Sequence, residues 1–325
     1  MNEDYLWDKS GEPDSEIARL ENLLAPLACP ATVTARVPGN YWKATRWWLA
    51  AAAALTAVAS CAWWLRTPAP QAAWRIAAAY GSPRTNGRYL QARGTIYSGQ
   101  LLETDAVSRI TLQSESVGEV ELGPESRLRV ESAAAGNRRL ALQQGTIHAT
   151  IWAPPERFVV DTPSAKAIDL GCAYTLHVDP SGDGLLTVEI GWVAFQFHGI
   201  ESFIPAGAAC STRRMSGPGL PYFLDASDGF RAAVREFDSG ERGNEIGAIL
   251  AGARPQDALT LWHLLERLPP SQRGRVYDRF AALVRLPATV TKERVVGGDR
   301  EALDAAWDAL DLGDTDWWRH WRREW

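Results

Sequence analysis

The segment RFVVDTPSAKAIDLGCAYTLHV, residues 157–178, places apolar side chains at alternate positions near both of its ends. Phe158 and Val160 are two residues apart near its start, and Tyr174, Leu176 and Val178 keep the same spacing near its end. A period of two residues is typical of a β-strand with one buried face. The segment therefore predicts two strands of a β structure.

The same alternation extends on both sides of this segment, from residue 74 to about residue 200. It recurs in RITLQ, VGEVELG and RLRVE, and glycine-containing turns separate the apolar runs. No pattern of helix length interrupts the series. We therefore predict a mainly β domain, a sandwich, roll or short solenoid of about ten strands, and exclude a parallel nucleotide-binding sheet.

The order of the motifs resembles the FecR domain. The motifs are GQLLETDAVSRITLQ, GEVELGPESRLRVE, RLALQQGTIHATI, RFVVDTPSAKAIDLGCAYTLHV and LLTVEIGWVAFQ. The most specific part of this resemblance is the series VVDTP, DLG and YTL, followed by VEIGWV. Cys172 departs from the family, which more often has a small hydroxyl residue after the glycine. The resemblance implies a single-pass regulator of the bacterial inner membrane, with a periplasmic β domain and a cytoplasmic sigma factor as partner.

Residues 47–65, WWLAAAAALTAVASCAWWL, contain no charged side chain. A helix of this length spans roughly 28 Å, close to the hydrocarbon thickness of a bilayer. We predict a transmembrane helix with Trp47, Trp48, Trp63 and Trp64 as interface anchors. A soluble buried helix and a cleaved leader, with VASC as a lipoprotein-like processing site, are the alternatives. Three basic residues before the span and two after it favour a cytoplasmic N-terminus.

Residues 1–46 are predicted to form a short cytoplasmic helix and a linker. Asp14 is a suitable N-cap, and Pro26 and Pro30 end the helix. One face of the helix carries Ile17, Leu20, Leu24 and Leu27. An apolar stripe on so short a segment needs a partner. The helix either lies on the bilayer or on the segment itself, or binds a cytoplasmic protein.

The C-terminal third returns to helical periodicity. Residues 206–245 are predicted as a linker or loop region, and residues 246–325 as a helical domain of three or four short helices in a small bundle. The tail DWWRHWRREW places tryptophans along one side of a helix. That tail either docks on the domain core or forms an interfacial membrane helix.

Two cysteines lie beyond the predicted span, Cys172 and Cys210, and they flank the last predicted pair of strands. The FecR resemblance places this region in an oxidising compartment, where two cysteines can form a disulfide. Two buried free thiols are the alternative. Both possibilities remain open from the sequence.

Motifs of catalysis and cofactor binding are absent from the sequence. It contains no G-x-S-x-G, G-x-G-x-x-G, P-loop or H-E-x-x-H pattern, and its five histidines share no ligand spacing. A net charge of −5 supplies no general basic surface for nucleic acid. We therefore expect a protein that is not an enzyme and has no cofactor, no metal and no small-molecule substrate.

The resulting hypothesis is a membrane-anchored, FecR-like signalling regulator of the bacterial inner membrane. Its segments are residues 1–46 in the cytoplasm, the transmembrane helix 47–65, a periplasmic β domain at 66–205, the linker 206–245 and the helical domain 246–325. Expected partners are a sigma factor inside and an envelope or outer-membrane protein outside. The alternative function is a membrane-anchored periplasmic scaffold or envelope-binding protein with no role toward a sigma factor.

Overall fold

A computed structural model describes residues 15–27, 74–91, 93–134, 137–240 and 244–313. The chain divides into two compact units, Met1–Ala69 and Pro70–Trp325. In the first unit the described residues form helix α1, Ser15–Leu24, and a short 3-10 helix, Ala25–Leu27. In the second unit a series of strands comes first and a series of helices follows.

The described residues of the second unit contain eighteen strands, several of them only two residues long. They are β1 Trp74–Tyr80, β2 Arg84–Thr85, β3 Arg88–Tyr89, β4 Gly94–Ile96, β5 Leu101–Glu103, β6 Arg109–Ser114, β7 Gly118–Leu122, β8 Arg127–Ala134, β9 Asn137–Ile151, β10 Phe158–Asp161, β11 Lys166–Asp169, β12 Ala173–Val178, β13 Gly184–Ile190, β14 Trp192–Phe197, β15 Ile200–Pro205, β16 Ala208–Arg213, β17 Gly217–Pro218 and β18 Tyr222–Phe223.

Helices occupy the part of the second unit that follows the strands. They are α2 Asp228–Ser239, α3 Glu245–Gly252, a 3-10 turn Pro255–Asp257, α4 Ala258–Arg267, α5 Pro270–Leu283, α6 Lys292–Gly297 and α7 Arg300–Asp308. Side chains cap three of them in the manner expected of helix starts, at Ser227, Thr291 and Asp299.

Strand β9 belongs to two sheets. Its first part pairs with β8 and β10, and its second part pairs with β7 and β12. The first sheet runs in the order β4, β1, β6, β7, β9, β12, β13 and β16, with β17 and β18 at its end. The second sheet runs β3, β2, β5, β8, β9, β10, β11, β14 and β15. The crossing of β9 holds the two sheets against each other.

One core lies between the two sheets. In the first sheet one of the fully buried cross-strand rows consists of Ile110, Leu122, Ile147, Leu176, Leu186 and Cys210. In the second sheet the corresponding row is Val130, Leu140, Val160, Ala167 and Phe195. Both rows belong to the same cluster of buried residues, so the inner faces of the two sheets share one core.

The second sheet is buried on its other face as well. A neighbouring row, Val159, Ile168, Ala194 and Phe203, belongs to a second buried cluster together with residues of the helices. The second unit therefore has three layers, with one sheet, then the other sheet, then the helices. Strands buried on both faces carry consecutive apolar residues, as in the FVV run of β10.

An aromatic cluster joins the helices to the second sheet. The Trp307 ring of α7 lies 4.8 Å from Trp262 of α4 and 5.4 Å from Phe203 of β15, between ring centroids. His263 adds a polar contact, because its Nε2 accepts the backbone N–H of Phe203 at 3.0 Å. That bond requires a neutral imidazole whose Nδ1–H donates to Leu259 O, 2.9 Å away.

The prediction of a mainly β domain followed by a helical region is confirmed. The predicted linker at residues 206–245 is wrong over its described part, because β16, β17, β18 and α2 occupy it. Its glycines and prolines serve tight turns between short strands. The helices are also not a separate bundle, since they share a core with the second sheet.

The predicted transmembrane segment at residues 47–65, with Trp47, Trp48, Trp63 and Trp64, lies outside the described residues. So does the tryptophan-rich tail that begins at residue 316. Among the residues that the structure does describe, no helix is long and apolar enough to cross a membrane.

Substitution of Trp307 tests the three-layer arrangement. Trp307→Ala removes a buried ring that touches both the sheet and the helices, and should lower the free energy of unfolding by about 3–5 kcal/mol. Trp152→Ala is the matched control, because Trp152 is 54% exposed, and should cost about 1 kcal/mol or less. Urea unfolding followed by circular dichroism measures both. Loss of the helices in Trp307→Ala with the strand signal unchanged would contradict a shared core.

Candidate functional site

A cavity of about 660 Å³ lies where the two sheets meet the helices. Its walls come from β15 of the second sheet, from β16 and β17 of the first sheet, and from α2, α4 and α7. Phe203 and Phe237 form part of the apolar wall, and charged side chains form the rest. A cavity of this size accommodates a small organic molecule.

Asp238 of α2 lines this cavity. Its Oδ2 accepts the Ser211 hydroxyl at 2.8 Å, and its Oδ1 accepts the backbone N–H of Leu220 at 2.9 Å. Burial raises the pKa of Asp238 to about 6, while these hydrogen bonds and two arginines oppose the shift. Gly219 permits the close approach, because a Cβ there would lie 2.0 Å from the Asp238 carboxylate oxygen.

Arg267 of α4 lines the same cavity and ties the helix to the strands. Its Nη2 donates to Gly219 O at 2.9 Å and to the Ser202 hydroxyl. Burial lowers the pKa of its guanidinium, although Cys210, Asp238 and Glu266 oppose that effect. Within the described part of the chain, Arg267 has no ion-pair partner within 4.0 Å, so neutral acceptors hold it in place.

A second buried polar cluster lies at the DLGC motif. Asp169 is 1% exposed, and its carboxylate accepts the Gly171 N–H at 2.8 Å and the Cys172 thiol. Burial raises the pKa of Asp169 to about 7, and those two hydrogen bonds oppose the rise. Burial, and then the nearby Asp169, raise the pKa of the Cys172 thiol, so the thiol stays protonated and unreactive. Cys172 thus supplies a donor where the FecR resemblance expects a hydroxyl residue.

The structure contradicts a disulfide between Cys172 and Cys210, because both are buried free cysteines. Cys210 pairs across the sheet with Leu186, and Leu186 with Leu176, while Cys172 lies four residues before Leu176. Two strand spacings and four residues along a strand separate the Cα atoms by roughly 15 Å, far beyond disulfide reach. The alternative of two buried thiols is the one observed. The Cys210 thiol donates to Gly219 O at 3.2 Å.

The predicted partner face of the N-terminal segment lies partly in α1. Leu20 and Leu24 are 57% exposed and Ile17 is half-buried, while Leu27 belongs to the 3-10 helix that follows. No residue of α1 is buried. The predicted anchors Trp47, Trp48, Trp63 and Trp64 fall outside the described residues.

Histidines and acids form no metal site in the described residues, where no group of three or more His, Cys, Asp or Glu side chains could hold a metal ion. His148 and His177 are exposed and bond to Thr175 and Thr146, at 2.8 and 2.9 Å. His198 is exposed as well. None of these imidazoles faces the cavity.

Sequence reasoning did not find the cavity residues. Arg213 belongs to an Arg-Arg pair, but it lies in the segment whose composition predicts a linker or loop. Asp238 and Arg267 lie on different helices, and nothing in their spacing links them. The apolar period of residues 230, 234 and 237 is the one signal that could have revealed α2.

Residues 100–193 match the model of the FecR protein family. The matched stretch extends from the start of β5 to the start of β14, and it includes the DLGC motif. This match confirms the FecR resemblance for these residues. No match to a curated protein was found.

Two crystal structures of a candidate anti-sigma factor from Parabacteroides distasonis, at 1.65 and 2.50 Å resolution, are similar to part of the chain. Each aligns with 42% of this chain at 13% identity, with a TM-score of 0.34. The alignment covers 64% of the length of that protein.

The raised pKa of Asp169 predicts a pH-dependent stability. The folded protein keeps this proton up to about pH 7, whereas an unfolded chain releases it near 3.8. Between these values the folded state binds more protons, so the free energy of unfolding falls as the pH rises. Relative to that of Asp169→Asn, the free energy of unfolding of the wild type should fall by up to about 4 kcal/mol between about pH 4 and pH 8. Urea titrations at each pH measure the difference.

Asp105→Asn is the control for that titration. A hydrogen bond from Ser108 lowers the pKa of Asp105, so its stabilising effect is lost only as the pH falls through that lowered value. Relative to that of Asp105→Asn, the free energy of unfolding of the wild type should therefore not fall between about pH 4 and pH 8. If the difference in free energy of unfolding between the wild type and Asp169→Asn does not change with pH, the raised pKa of Asp169 is contradicted.

Proposed function

We propose that this chain is a FecR-like signalling regulator anchored in the bacterial inner membrane. The observation that carries the proposal is the FecR match over residues 100–193. In this proposal the second unit lies in the periplasm and contacts an envelope or outer-membrane protein. Residues 47–65 cross the membrane, and α1 binds a sigma factor in the cytoplasm.

The exposure of α1 supports a protein-binding role for the N-terminal segment. Leu20, Leu23 and Leu24 are each more than half exposed, although leucine is among the residues most often buried. An amphipathic helix that buries none of its apolar residues gains stability when a partner covers them. A groove on a sigma factor is the proposed partner surface.

Substitution on the apolar face tests the sigma-factor partner. In the full chain, Leu24→Glu should reduce co-purification of a sigma factor encoded next to it by about tenfold or more, because a charge would be buried in the contact. Asn22→Glu is the matched control, since it introduces the same charge on the opposite side of α1 and should leave recovery unchanged. Equal recovery with both variants would contradict this use of α1. Failure of the wild type to recover any sigma factor would favour the envelope scaffold.

Reporter fusions test the orientation separately. Alkaline phosphatase fused after residue 325 should be active, because the enzyme requires the oxidising periplasm, and the same fusion after residue 40 should be inactive. Deletion of residues 47–65 is the control and should abolish the activity of the C-terminal fusion. An active fusion at residue 40 together with an inactive one at residue 325 would contradict the proposed topology.

A further inference from the structure

Two arginines that line the cavity between the sheets and the helices, Arg213 and Arg267, have N–H groups that make no hydrogen bond within the described residues. The Nη2 of Arg267 already bonds to Gly219 O and to the Ser202 hydroxyl. Within the described residues, Nε and Nη1 of Arg267 make no hydrogen bond. Three N–H groups of this guanidinium are therefore available to a further acceptor.

Arg213 of β16 supplies a second guanidinium to the same cavity. Its Nε is buried and has no hydrogen-bond partner in the described part of the chain. Its Nη1 makes only a distant ion pair with Asp183, at 3.8 Å. Within the described residues, Nη1 and Nη2 of Arg213 make no hydrogen bond, so these two groups can donate to an acceptor in the cavity.

Carboxylates of the cavity already have donors. Asp238 accepts from Ser211 and Leu220 N, and Glu266 accepts Arg300 Nη1 at 3.0 Å. Glu201 accepts Gln196 Nε2 at 3.4 Å. The unpaired N–H groups of Arg213 and Arg267 are therefore the donors that the acceptor atoms of a ligand can use.

We propose that this cavity binds a small monocarboxylate with an apolar body, held by the guanidiniums of Arg213 and Arg267. The planar fork of arginine matches a carboxylate through two parallel hydrogen bonds. Phe203, Phe237 and Pro218 offer an apolar wall for the rest of the molecule. The sequence contained no signal for such a ligand, and the proposal does not depend on membrane anchoring or on a sigma factor.

The charged side chains that line the cavity sum to zero, so a dianion is less favourable there than a monoanion. Three arginines, Arg213, Arg267 and Arg300, face three carboxylates, Glu201, Asp238 and Glu266. A monoanion leaves one surplus negative charge, whereas a phosphate dianion would leave two near Asp238. Like charges in a partly buried site repel strongly, so phosphate should bind more weakly than a carboxylate.

Calorimetric titration of the full chain tests the proposal, with 4-phenylbutyrate as the probe and its neutral amide, 4-phenylbutyramide, as the isostere. The acid should bind with a dissociation constant of about 1 mM or below, and at least about tenfold more tightly than the amide or inorganic phosphate. Arg213→Gln should weaken binding of the acid by about tenfold. Arg214→Gln is the matched control, because Arg214 is exposed and does not line the cavity, and should bind as the wild type does.

Three results would overturn the proposal. They are equal binding of acid and amide, unchanged binding in Arg213→Gln, and no binding of the acid by the folded wild type. Phosphate that binds more tightly than the carboxylate would overturn the ligand class. Circular dichroism of each variant shows whether the fold is retained, and Arg213 was chosen because Arg267 also holds Gly219 and Ser202 in place.

Discussion

The arrangement of the second unit depends on one backbone position, Gly145 in strand β9. Here the strand leaves the second sheet and enters the first, with φ at +95°. A Cβ at this position would lie 2.0 Å from the Ser126 hydroxyl oxygen, so only glycine fits. The same hydroxyl accepts the Thr146 N–H at 3.0 Å and donates to Pro124 O at 2.9 Å. These contacts fix the bend, and the bend places the inner faces of both sheets on one core.

The second sheet can bind the helices because its inner face is already covered by the first sheet. Its outer row, from Val159 to Phe203, is apolar and needs a cover of its own. Trp307 and Trp262 supply that cover, and His263 pairs with the backbone of the edge strand β15. A backbone N–H at a sheet edge is thus satisfied by a side chain rather than by another strand. The cavity lies further along β15, at Ile200 and Glu201, and α2, α4 and α7 form its opposite wall.

Sequence periodicity predicted the strands well where only one face is buried. The row from Ile110 to Cys210 in the first sheet shows this alternation clearly. The periodicity was less informative in the second sheet, where the runs FVV and VAF place neighbouring residues on two buried faces. A pattern of period two identifies such strands but cannot show that a second layer covers them. The three-layer arrangement therefore required the structure.

The wrong prediction over residues 206–245 and the open alternatives at the cysteines have different physical causes. Glycine and proline in this region mark turns between very short strands, and composition alone does not separate those turns from a linker. The cysteine pair was undecided because sequence separation does not determine which strands are adjacent. Cys210 occupies the last position of a buried apolar row, where a thiol acts as a small hydrophobic side chain. The cavity residues come from strands and helices far apart in sequence, so only the packing of layers brings their charges together.

The position of the cavity gives a bound ligand a way to affect the whole unit. Its walls belong to both sheets and to the helices, and Arg267 and Asp238 each join a helix to a strand or turn. A ligand shifts a conformational equilibrium only by its difference in affinity between the two states. A carboxylate that uses Arg213 and Arg267 together favours the state in which β16 and α4 are close.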